Sequence, residues 1–391
     1  MITRLRIQNY KSFRDLDLRL TELNVLVGPN MSGKSNLIDV LRFLGQLLNP
    51  SPGATLQNPL NERNGLGEIV WKGADNNVIG FAVEGTAVFS GETITFDYEF
   101  EIAGNPYGFG SIRRESLQID GIQGARVLIA TDQNAARILT RGNGQEISRL
   151  QDPNYLGLQY ALPDWEAAVV RATIASARFY NLVPPMMKQL NPSTAADFLT
   201  EGGENLSSWL MTLQTRHQDA FQRIRSAAQD ALPSLLDLFT FPTQQSTVYL
   251  TSREKHLLRP TRLPEMSDGE LVFLALVSLI LCPPELSTSL YCIEEPENHL
   301  HPRLIDLLLE LLRQVRSGLE VRAADRPQII VTTHSPYVID KCQIDELILF
   351  QKEGGESKCI RPSDRSELKE LLKDKSITLG DLYFSGALAS A

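Results

Sequence analysis

A glycine-rich segment near the start of the chain has the residue types and spacing that hold phosphate groups. Its pattern is G-x-x-x-x-G-K-S, and it lies between a strand-like run and a run with helical periodicity. Glycines let the backbone wrap around phosphates, while the helix N-terminus and Lys34 attract negative charge. Ser35 is expected to place its hydroxyl on Mg²⁺. A glycine-rich turn without a ligand is the alternative. The predicted phosphate site comprises Gly28, Pro29, Asn30, Met31, Ser32, Gly33, Lys34, Ser35 and Asn36.

Two adjacent carboxylates follow the apolar run from Leu290 to Ile293. Two acids at the end of a buried strand are costly unless they coordinate something. We therefore predict that Glu294 belongs to the Mg²⁺ shell, directly or through water. Glu295 is predicted to be the base that activates or orients an attacking water. The alternative is an acidic helix N-terminus just beyond the strand, which the helix dipole would favour.

Two further motifs follow apolar or structured runs in the last third of the chain. His334 comes after the strand-like run from Ile329, where it could hydrogen-bond a γ-phosphate and sense its loss. Alternatively, it caps the next helix. Ser267 is a good N-cap for a helix from Asp268, and Gly269 lets another backbone approach closely. Alone this would be a helix cap, but its place between the phosphate loop and the acid pair favours a role at the nucleotide.

Hydrophobic periodicity predicts the elements that position these residues. Residues from Arg4 to Val27 alternate like strands, and a helix is predicted from Lys34 to about Leu48. Asn49-Pro50-Ser51-Pro52-Gly53 is expected to stop that helix. Short strand-like runs recur from Glu68 to about Leu128 and indicate antiparallel meanders. Helical periods dominate between about Asn134 and Leu236, most clearly over residues 164–178 and 205–232.

The last third of the chain alternates between strands and helices. The predicted elements are a strand over Val248–Thr251, a helix from Asp268, a strand over Leu290–Ile293, a helix from His301 and a strand over Gln328–Thr332. This alternation indicates an α/β fold with a mostly parallel sheet buried between helices. We predict four segments, namely residues 1–75 with the phosphate loop, a β-rich subdomain at 76–133, a mainly helical insertion at 134–245, and a C-terminal part at 246–391.

Composition excludes several classes of protein. The 391 residues are 42% apolar and 22% charged with a net charge of −9, which argues against a disordered chain and against a non-specific nucleic-acid coat. Four cysteines do not make a disulfide framework. The start lacks a signal-peptide pattern, and the longest apolar run, Leu271 to Cys282, is about half of what a membrane-spanning helix needs. We expect a cytoplasmic protein with no membrane contact.

One dense stretch of basic residues contrasts with the negative net charge of the chain. Between Arg253 and Arg262 the basic residues Arg253, Lys255, Arg259 and Arg262 face a single acid, Glu254. The stretch is either a solvated face or a contact to phosphate or nucleic acid that is coupled to the nucleotide. Residues 76–250 carry 12 basic and 18 acidic side chains, so they suit protein contacts better than a DNA clamp.

The ordered set of motifs resembles the ABC-type ATPases of the RecF/SMC/OLD group, and more narrowly the stand-alone bacterial ATPases with an AAA-21/AAA-15 head. The matching motifs are Walker A at 28–35, an S-D-G-E signature at 267–270, Walker B at 290–295 and a switch histidine at 334. Other matching segments are residues 9–13, 203–206, 294–302, 333–336 and 379–386. The resemblance covers nearly the whole chain.

The resemblance implies an ABC-type P-loop ATPase head, in which an α/β core carries an antiparallel β-subdomain and a mainly helical insertion. Two such heads sandwich two nucleotides, and each site combines Walker A of one subunit with the signature of the other. Ser267 and Gly269 would thus contact the γ-phosphate in trans, and Glu297 to Pro302 would form the D-loop along the interface. The implied cofactors are ATP and Mg²⁺, and the implied assembly is an ATP-dependent homodimer.

Some positions depart from the family pattern. Glu294 stands where aspartate is common, and its side chain is one methylene longer. Met266 replaces the usual leucine, which is a tolerated exchange of volume. The glutamine of the Q-loop is not assigned within residues 61–72. Lys11 and Phe13 are candidates for positions near the nucleotide, although Phe13 equally suits the core.

Two other polar groups allow a metal or nuclease interpretation. His299 and His301 could share a metal in an extended segment, but a D-loop contact is preferred. Asp15 and Asp17 form a D-x-D pattern, yet they precede the phosphate loop on an alternating strand, where their acids would face solvent.

The preferred function is an ATP-hydrolysing switch that acts on DNA or on a separate effector protein such as a nuclease or toxin, in DNA repair or phage defence. OLD relatives carry a nuclease domain after the head, but only 57 residues follow His334 here. One alternative is a non-hydrolysing scaffold whose dimerisation is the output. Another is a transporter ATPase subunit, which the 233 residues between Lys34 and Ser267 disfavour.

Overall fold

The computed structural model describes residues 1–49, 53–104, 109–160, 162–317, 327–365 and 378–385. The chain divides into two compact units. The first contains Met1–Ala177, Gln328–Ile330 and Gln343–Ala391, and the second contains Arg178–Pro327 and Val331–Cys342. The helix-stopping residues 50–52 and the end of the matching tail segment, Gly386, lie outside the described residues.

The first unit opens with strands and helices in this order: β1 (Ile2–Tyr10), β2 (Phe13–Arg19), β3 (Leu23–Val27), α1 (Lys34–Leu48), α2 (Gln57–Asn61), α3 (Leu66–Ile69), β4 (Val78–Phe89), β5 (Glu92–Gly104), β6 (Gly110–Asp120), β7 (Arg126–Thr131), β8 (Arg137–Thr140), β9 (Glu146–Leu150) and α4 (Ala167–Ala175).

The second unit continues with β10 (Arg178–Tyr180), α5 (Pro184–Met187), β11 (Asn191–Pro192), α6 (Leu206–Arg216), α7 (Gln218–Ala231), β12 (Leu235–Pro242), β13 (Thr247–Glu254), β14 (Thr261–Arg262), α8 (Asp268–Ile280), β15 (Leu290–Glu294), α9 (Pro302–Ser317), β16 (Gln328–Thr333) and α10 (Pro336–Lys341). The chain then returns to the first unit with β17 (Leu347–Glu353), β18 (Glu356–Ile360) and α11 (Leu379–Phe384).

Eight strands of the first unit form one antiparallel sheet in the order β2-β1-β4-β5-β6-β7-β8-β9. The turn between β4 and β5 contains Ser90 and Gly91, both with positive φ, which is the geometry that matches the twist of a two-residue hairpin. Alternating residues of the strands are buried, and Tyr10 and Phe81 stack edge to face with centroids 5.5 Å apart. Phe43 of α1 lies 5.6 Å from Tyr10, so the helix that follows the phosphate loop packs on this aromatic cluster.

A buried polar cluster ties this sheet to the turn after β9. Glu115 is fully buried and accepts hydrogen bonds from Tyr98 Oη at 2.9 Å, from the Gly157 amide at 2.6 Å and from the Leu158 amide at 3.0 Å. Arg137 Nε lies 3.2 Å from the same carboxylate. The carboxylate is thus surrounded by donors, as a buried charge must be.

The parallel strands carry the motif-bearing loops at their carboxyl ends. In the first unit β3 pairs with β17 in parallel, and all five residues of β3 are buried. In the second unit β10 pairs with β15 in parallel. Strand β16 contributes its first three residues to the first unit and its last three to the second. Continuous burial along β3 and β16 is typical of strands that are covered on both faces.

The second unit also contains an antiparallel sheet in the order β11-β13-β12, with β14 paired to β13. Helix α6 packs on β13, where Ser207 Oγ accepts a hydrogen bond from the Leu250 amide at 2.9 Å. Every residue of α8 from Leu271 to Leu279 is buried, which is expected for a helix that is apolar all round. Among the helices within the described ranges, none combines the length and apolarity needed to cross a membrane.

Most predicted elements are confirmed, including the strands before Val27, the helix Lys34–Leu48 and the alternating elements after Ser246. The helical pattern predicted from Asn134 is wrong for residues 137–150, which form β8 and β9 around a turn that contains Gly144 at φ 84°. The helical pattern predicted over residues 205–232 is confirmed as two helices, which are separated because His217 has non-helical backbone angles of φ −133° and ψ 58°. Strand β13 lies in the antiparallel sheet and not in the parallel one.

Candidate nucleotide site

The predicted phosphate segment forms a loop between β3 and α1. Met31 at its tip has φ 65° and is 85% exposed, while the Ser32 amide closes a turn onto the Pro29 carbonyl at 3.2 Å. Gly33 is the N-cap of α1, and the helix has no acidic residue in its first turn. The loop thus presents backbone groups and a helix N-terminus without a nearby carboxylate on that turn to repel an anion.

Lys34 lies inside this loop. Its side chain is buried, and Nζ donates to the carbonyl oxygens of Gly28 at 2.6 Å and of Pro29 at 3.2 Å. A buried ammonium is costly in an apolar environment and is stabilised by nearby oxygen acceptors. The lysine ammonium is therefore held within the loop, where it would also contact a phosphate oxygen.

Two glycines of the loop are required by close contacts. A Cβ on Gly33 would lie 2.5 Å from Ser357 Oγ and 3.3 Å from Ser12 Oγ, and the residue has φ 116°. A Cβ on Gly28 would lie 2.3 Å from the Phe350 carbonyl oxygen. Contacts of 2.3 and 2.5 Å are closer than a Cβ can approach, so β17 and β18 support the loop only if it carries glycine at these two positions.

A hydroxyl cluster beneath the loop has no counterpart among the sequence predictions. Ser357 Oγ donates to Ser12 Oγ at 2.7 Å, and Asn36 Nδ2 donates to the same oxygen at 2.6 Å. The Ser357 amide also donates to the Ser12 carbonyl at 2.7 Å. Ser12 belongs to a segment that matches the family, whereas nothing near Ser357 indicates its role. Asn36, which is predicted to bind nucleotide, directs its amide to this cluster.

The residues of the loop fit a bound phosphate. Ser32 Oγ is buried and has no hydrogen-bond partner among the described residues, which leaves a donor available inside the loop. Ser35 is exposed on the first turn of α1, as a hydroxyl ligand of Mg²⁺ would have to be. Together with the buried Lys34, these groups suit an anion accompanied by a hard cation.

Asp39 anchors the second turn of α1. Its carboxylate accepts from Tyr10 Oη at 2.7 Å and forms ion pairs with Lys11 at 2.6 Å and Arg63 at 2.9 Å. Burial alone would raise the pKa of Asp39, but hydrogen bonds from Arg63, Lys11 and Tyr10 outweigh it and hold the pKa below its usual value. Lys11 is thus engaged with Asp39, and Phe13 is fully buried in the core.

The acid pair and the histidine lie in the second unit. Glu294 ends β15 and is half-buried, while Glu295 follows in a left-handed conformation with φ 42° and ψ 54°. The Glu295 amide donates to the Thr332 carbonyl at 3.0 Å. Its carboxylate contacts His334 Nε2 at 3.4 Å and accepts from Asn298 Nδ2 at 3.0 Å. The side chains of Glu295 and His334 are 40% and 34% exposed, so both can reach a reactant.

His334 is not the N-cap of the helix that follows it, and its contact with a γ-phosphate stays a prediction. Its imidazole contacts Glu295, and the N-cap of α10 is Ser335, which makes no side-chain cap. The contact between His334 and Glu295 is not among the sequence predictions. Glu295 precedes a short 3-10 turn at Pro296–His299 but does not cap it with its side chain.

Glu297 connects the ends of β15 and β16. Its Oε1 accepts hydrogen bonds from Thr333 Oγ1 at 2.5 Å and from the His334 amide at 3.1 Å. Its Oε2 is buried and has no hydrogen-bond partner in the part of the chain that the structure describes. The sequence predicts that this segment corresponds to the D-loop of the family. The hydrogen bond from the His334 amide to Glu297 is not predictable from the sequence.

The S-D-G-E segment forms the N-terminus of α8. Ser267 and Glu270 make a capping box, in which the Glu270 amide donates to Ser267 Oγ at 3.3 Å and the Ser267 amide donates to Glu270 Oε2 at 2.8 Å. A Cβ on Gly269 would lie 2.8 Å from the His299 carbonyl oxygen, so the predicted close approach of another backbone exists. Ser267 is exposed.

The remaining metal interpretations concern His299 and His301. His301 Nδ1 accepts from the Arg303 amide at 3.3 Å, and both histidines are exposed. Within the described ranges, no group of three or more His, Cys, Asp or Glu side chains is placed to hold a metal ion. Met266 is buried beside Leu274, which suits the exchange of leucine for methionine.

Comparison with protein-family models gives a match over residues 23–340 to the AAA_21 model, described as "AAA domain, putative AbiEii toxin, Type IV TA system". No curated protein matches the chain significantly.

Solved structures show the fold. An SMC head bound to the C-terminal winged-helix domain of ScpA is 14% identical, with a TM-score of 0.54 over 92% of this chain and 97% of that one. The Smc head from Pyrococcus furiosus, with an extended coiled coil and the C-terminal domain of ScpA, is 12% identical, with a TM-score of 0.52 over 95% and 99%. The Pyrococcus yayanosii Smc head with a coiled coil and joint is 11% identical, with a TM-score of 0.51 over 96% and 99%. The predicted fold class, an ABC-type ATPase head with an antiparallel β-subdomain, is confirmed.

Proposed function

Because the chain belongs to the AAA_21 family and has the fold of SMC-type ATPase heads, we propose that it binds ATP with Mg²⁺ and hydrolyses it to ADP and phosphate. The observation that carries this proposal is the glycine loop closed around the buried Lys34. That loop suits polyphosphate recognition, since backbone donors, a helix N-terminus and one fixed cation converge there.

Each of the predicted site residues has a proposed role in ATP binding or hydrolysis. Residues 28–33 cradle the β- and γ-phosphates and Lys34 neutralises part of their charge. Ser35 and Glu294 would hold Mg²⁺, which supplies further charge neutralisation when bound. Glu295 orients a water and accepts its proton as the water oxygen attacks the γ-phosphorus and the bond to the bridging oxygen breaks. His334, held 3.4 Å from Glu295, donates to the transferred phosphoryl group and is sensitive to its loss.

We further propose a switch based on dimerisation. Ser267 and Gly269 would contact the γ-phosphate of ATP bound to a second copy of the chain. Support comes from the exposure of Ser267 and from its place at the start of the 13-residue helix α8. Hydrolysis then removes the group that joins the two copies, so ATP binding closes the homodimer and hydrolysis opens it.

The output is proposed to act on DNA or on a separate effector such as a nuclease or toxin, in DNA repair or phage defence. The family description names a toxin–antitoxin system, and the SMC heads of this fold were solved with a separate protein, ScpA, bound. A non-hydrolysing scaffold is the second candidate, because the same loop would support ATP-dependent dimerisation without turnover. A cytoplasmic location agrees with this setting.

Two substitutions test the proposal. Lys34→Ala is expected to abolish ATP binding, because it removes the cation inside the loop. Glu295→Gln is expected to bind ATP and remain dimeric, because it lacks the base while the loop is unchanged. Binding is measured by calorimetry, mass by light scattering with and without ATP, and turnover by phosphate release.

Matched controls are Lys72→Ala and Glu353→Gln, which alter exposed residues in surface ion pairs. Both controls should behave like the wild type. If both test variants stay folded but monomeric with ATP, the dimer switch is wrong. If the wild type dimerises with ATP yet turns over no faster than Glu295→Gln, the scaffold is the correct function.

A further inference from the structure

The basic stretch before the signature lines a groove on the second unit. One wall is formed by Phe239 and Phe241 of β12 and Arg253 of β13, and the other by the loop 256–260 and β14. Residues 255–260 are all exposed. The groove is thus a surface feature made from neighbouring antiparallel strands and the loop that joins β13 to β14.

The charge of this groove is opposite to that of the whole chain. Arg253, Arg259 and Arg262 line the groove, and Lys255 is adjacent to it. All four are exposed, and none of them makes an ion pair with another described residue. The nearby acids have other partners. Glu254 accepts from Thr261 Oγ1 at 2.9 Å, and Glu265 accepts from the Arg262 amide at 3.0 Å. In a protein with a net charge of −9, this local excess of cations is complementary to a polyanion.

Aromatic rings lie among these cations. Phe239 and Phe241 are two residues apart on β12 and share a face of the strand. The Arg253 guanidinium lies 5.9 Å from the centroid of the Phe239 ring. Phe241 is 61% exposed, which is unusual for so large an apolar side chain. An exposed ring beside arginines is the combination that stacks on a nucleobase while cations hold the adjoining phosphates.

We propose that this groove binds single-stranded nucleic acid. Arg253, Arg259 and Arg262 contact the phosphodiester backbone, and Phe241 stacks on an unpaired base. Single strands are favoured over duplex because a base inside a duplex does not offer its face to a ring. The observations also favour nucleic acid over an acidic peptide, because three arginines and an exposed ring match alternating phosphates and bases.

The groove is continuous with the signature. β14 ends at Arg262, a 3-10 turn spans Leu263–Glu265, and the buried Met266 leads directly to Ser267. A strand seated in the groove therefore touches the segment that sets the start of α8. Binding itself does not depend on the proposed ATPase activity, so it can be measured without nucleotide.

The test uses the full chain and a fluorescein-labelled oligothymidylate about 20 nucleotides long, with fluorescence anisotropy at several salt concentrations and no ATP. The wild type is expected to bind with an affinity that falls as salt rises. Arg259→Ala combined with Arg262→Ala should weaken binding at least tenfold and reduce the logarithmic salt slope by about 1.4, because two phosphate contacts are lost. Phe241→Ala should weaken binding by about 5- to 150-fold with an unchanged slope, because stacking is uncharged.

The matched control is Arg223→Ala, which removes an exposed arginine of α7 in the same unit and should bind as the wild type does. The proposal is overturned if the wild type does not bind, if the groove variants do not weaken binding, or if duplex is bound more tightly than single strand without dependence on Phe241. Displacement of the oligonucleotide by a poly-glutamate peptide at equal charge concentration would also refute it in favour of a peptide. All variants are first compared by circular dichroism, and Phe241→Tyr keeps the ring if Phe241→Ala does not fold.

Discussion

Replacing Glu297 tests whether this residue positions the Glu295–His334 pair. Glu297→Ala removes the acceptor of two hydrogen bonds, from Thr333 Oγ1 and from the His334 amide. Hydrogen bonds to a charged acceptor contribute about 1.5–3 kcal/mol each. The variant also removes Oε2, whose burial without a partner costs about 1–3 kcal/mol in the wild type. The free energy of unfolding is therefore expected to fall by about 1–3 kcal/mol, less than two bonds alone would suggest.

The effect on turnover should exceed the effect on ATP affinity. Without Glu297 the backbone at His334 loses one of its anchors, and the contact of 3.4 Å between His334 and Glu295 is no longer fixed. A displacement of about 1 Å in a catalytic group can cost on the order of 100-fold in rate. We expect kcat for ATP to fall by about 10- to 100-fold. The affinity for ATP should stay near that of the wild type, because Lys34 and the loop glycines are unchanged.

Glu297→Gln distinguishes the effect of the hydrogen-bond geometry at this position from the effect of the negative charge. Its amide oxygen can still accept both hydrogen bonds, so turnover should recover to within about tenfold of the wild type. Urea unfolding measures stability, and phosphate release at saturating and limiting ATP measures kcat and KM. Glu310→Ala, an exposed glutamate on α9, is the control and should change neither quantity.

Two outcomes would refute the reasoning. If Glu297→Ala loses stability but keeps the wild-type kcat, Glu297 is structural only and does not position His334. If Glu297→Ala is as stable as the wild type, the two hydrogen bonds contribute nothing measurable and the argument from geometry fails.

Three further predictions concern the first unit. Gly33→Ala should weaken ATP binding at least tenfold by calorimetry, because its Cβ would lie 2.5 Å from Ser357 Oγ at φ 116°; wild-type affinity would contradict the steric argument. Asp39→Asn should be less stable than the wild type at pH 7. This difference in the free energy of unfolding should shrink as pH falls below 3.8, because the pKa of Asp39 is lowered in the folded protein and its stabilisation is present only above the pKa of the unfolded chain. A difference that stays constant from about pH 6 to 3 in unfolding experiments would contradict this prediction. Glu115→Ala should lower the free energy of unfolding by about 3–5 kcal/mol in urea, because Arg137 would stay buried without its partner, and a loss below about 1 kcal/mol would contradict that expectation.

The parts of the site that the sequence predicts are those that local chain segments encode. The phosphate loop is contiguous, and its flanking strand and helix follow from periodicity, so Gly28, Gly33 and Lys34 are identified by pattern alone. The burial of β3 and β15 follows in the same way from uninterrupted apolar runs. Their roles toward ATP stay predictions that the experiments above test.

Wrong predictions fall where local patterns are weak. The strands β8 and β9 are four and five residues long and mix polar and apolar residues on both faces, so their pattern does not stand out beside nearby helices. Their place is decided by pairing at the edge of the antiparallel sheet, which periodicity does not reveal. The helical prediction around His217 is confirmed, and only the break between the two helices, which has no glycine or proline, is not visible in the sequence.

The sequence by itself determined which residues can bind phosphate, which acids end a buried strand, and which segment carries the local excess of cations. Tertiary structure alone decided that Ser357 packs on Gly33, that Glu295 faces His334, that Glu297 holds the backbone between them, and that Phe241 lies among the arginines of the groove. These contacts join residues far apart along the chain. They depend on strand order and register, and those are set by how the buried faces of several elements pack together rather than by any one segment.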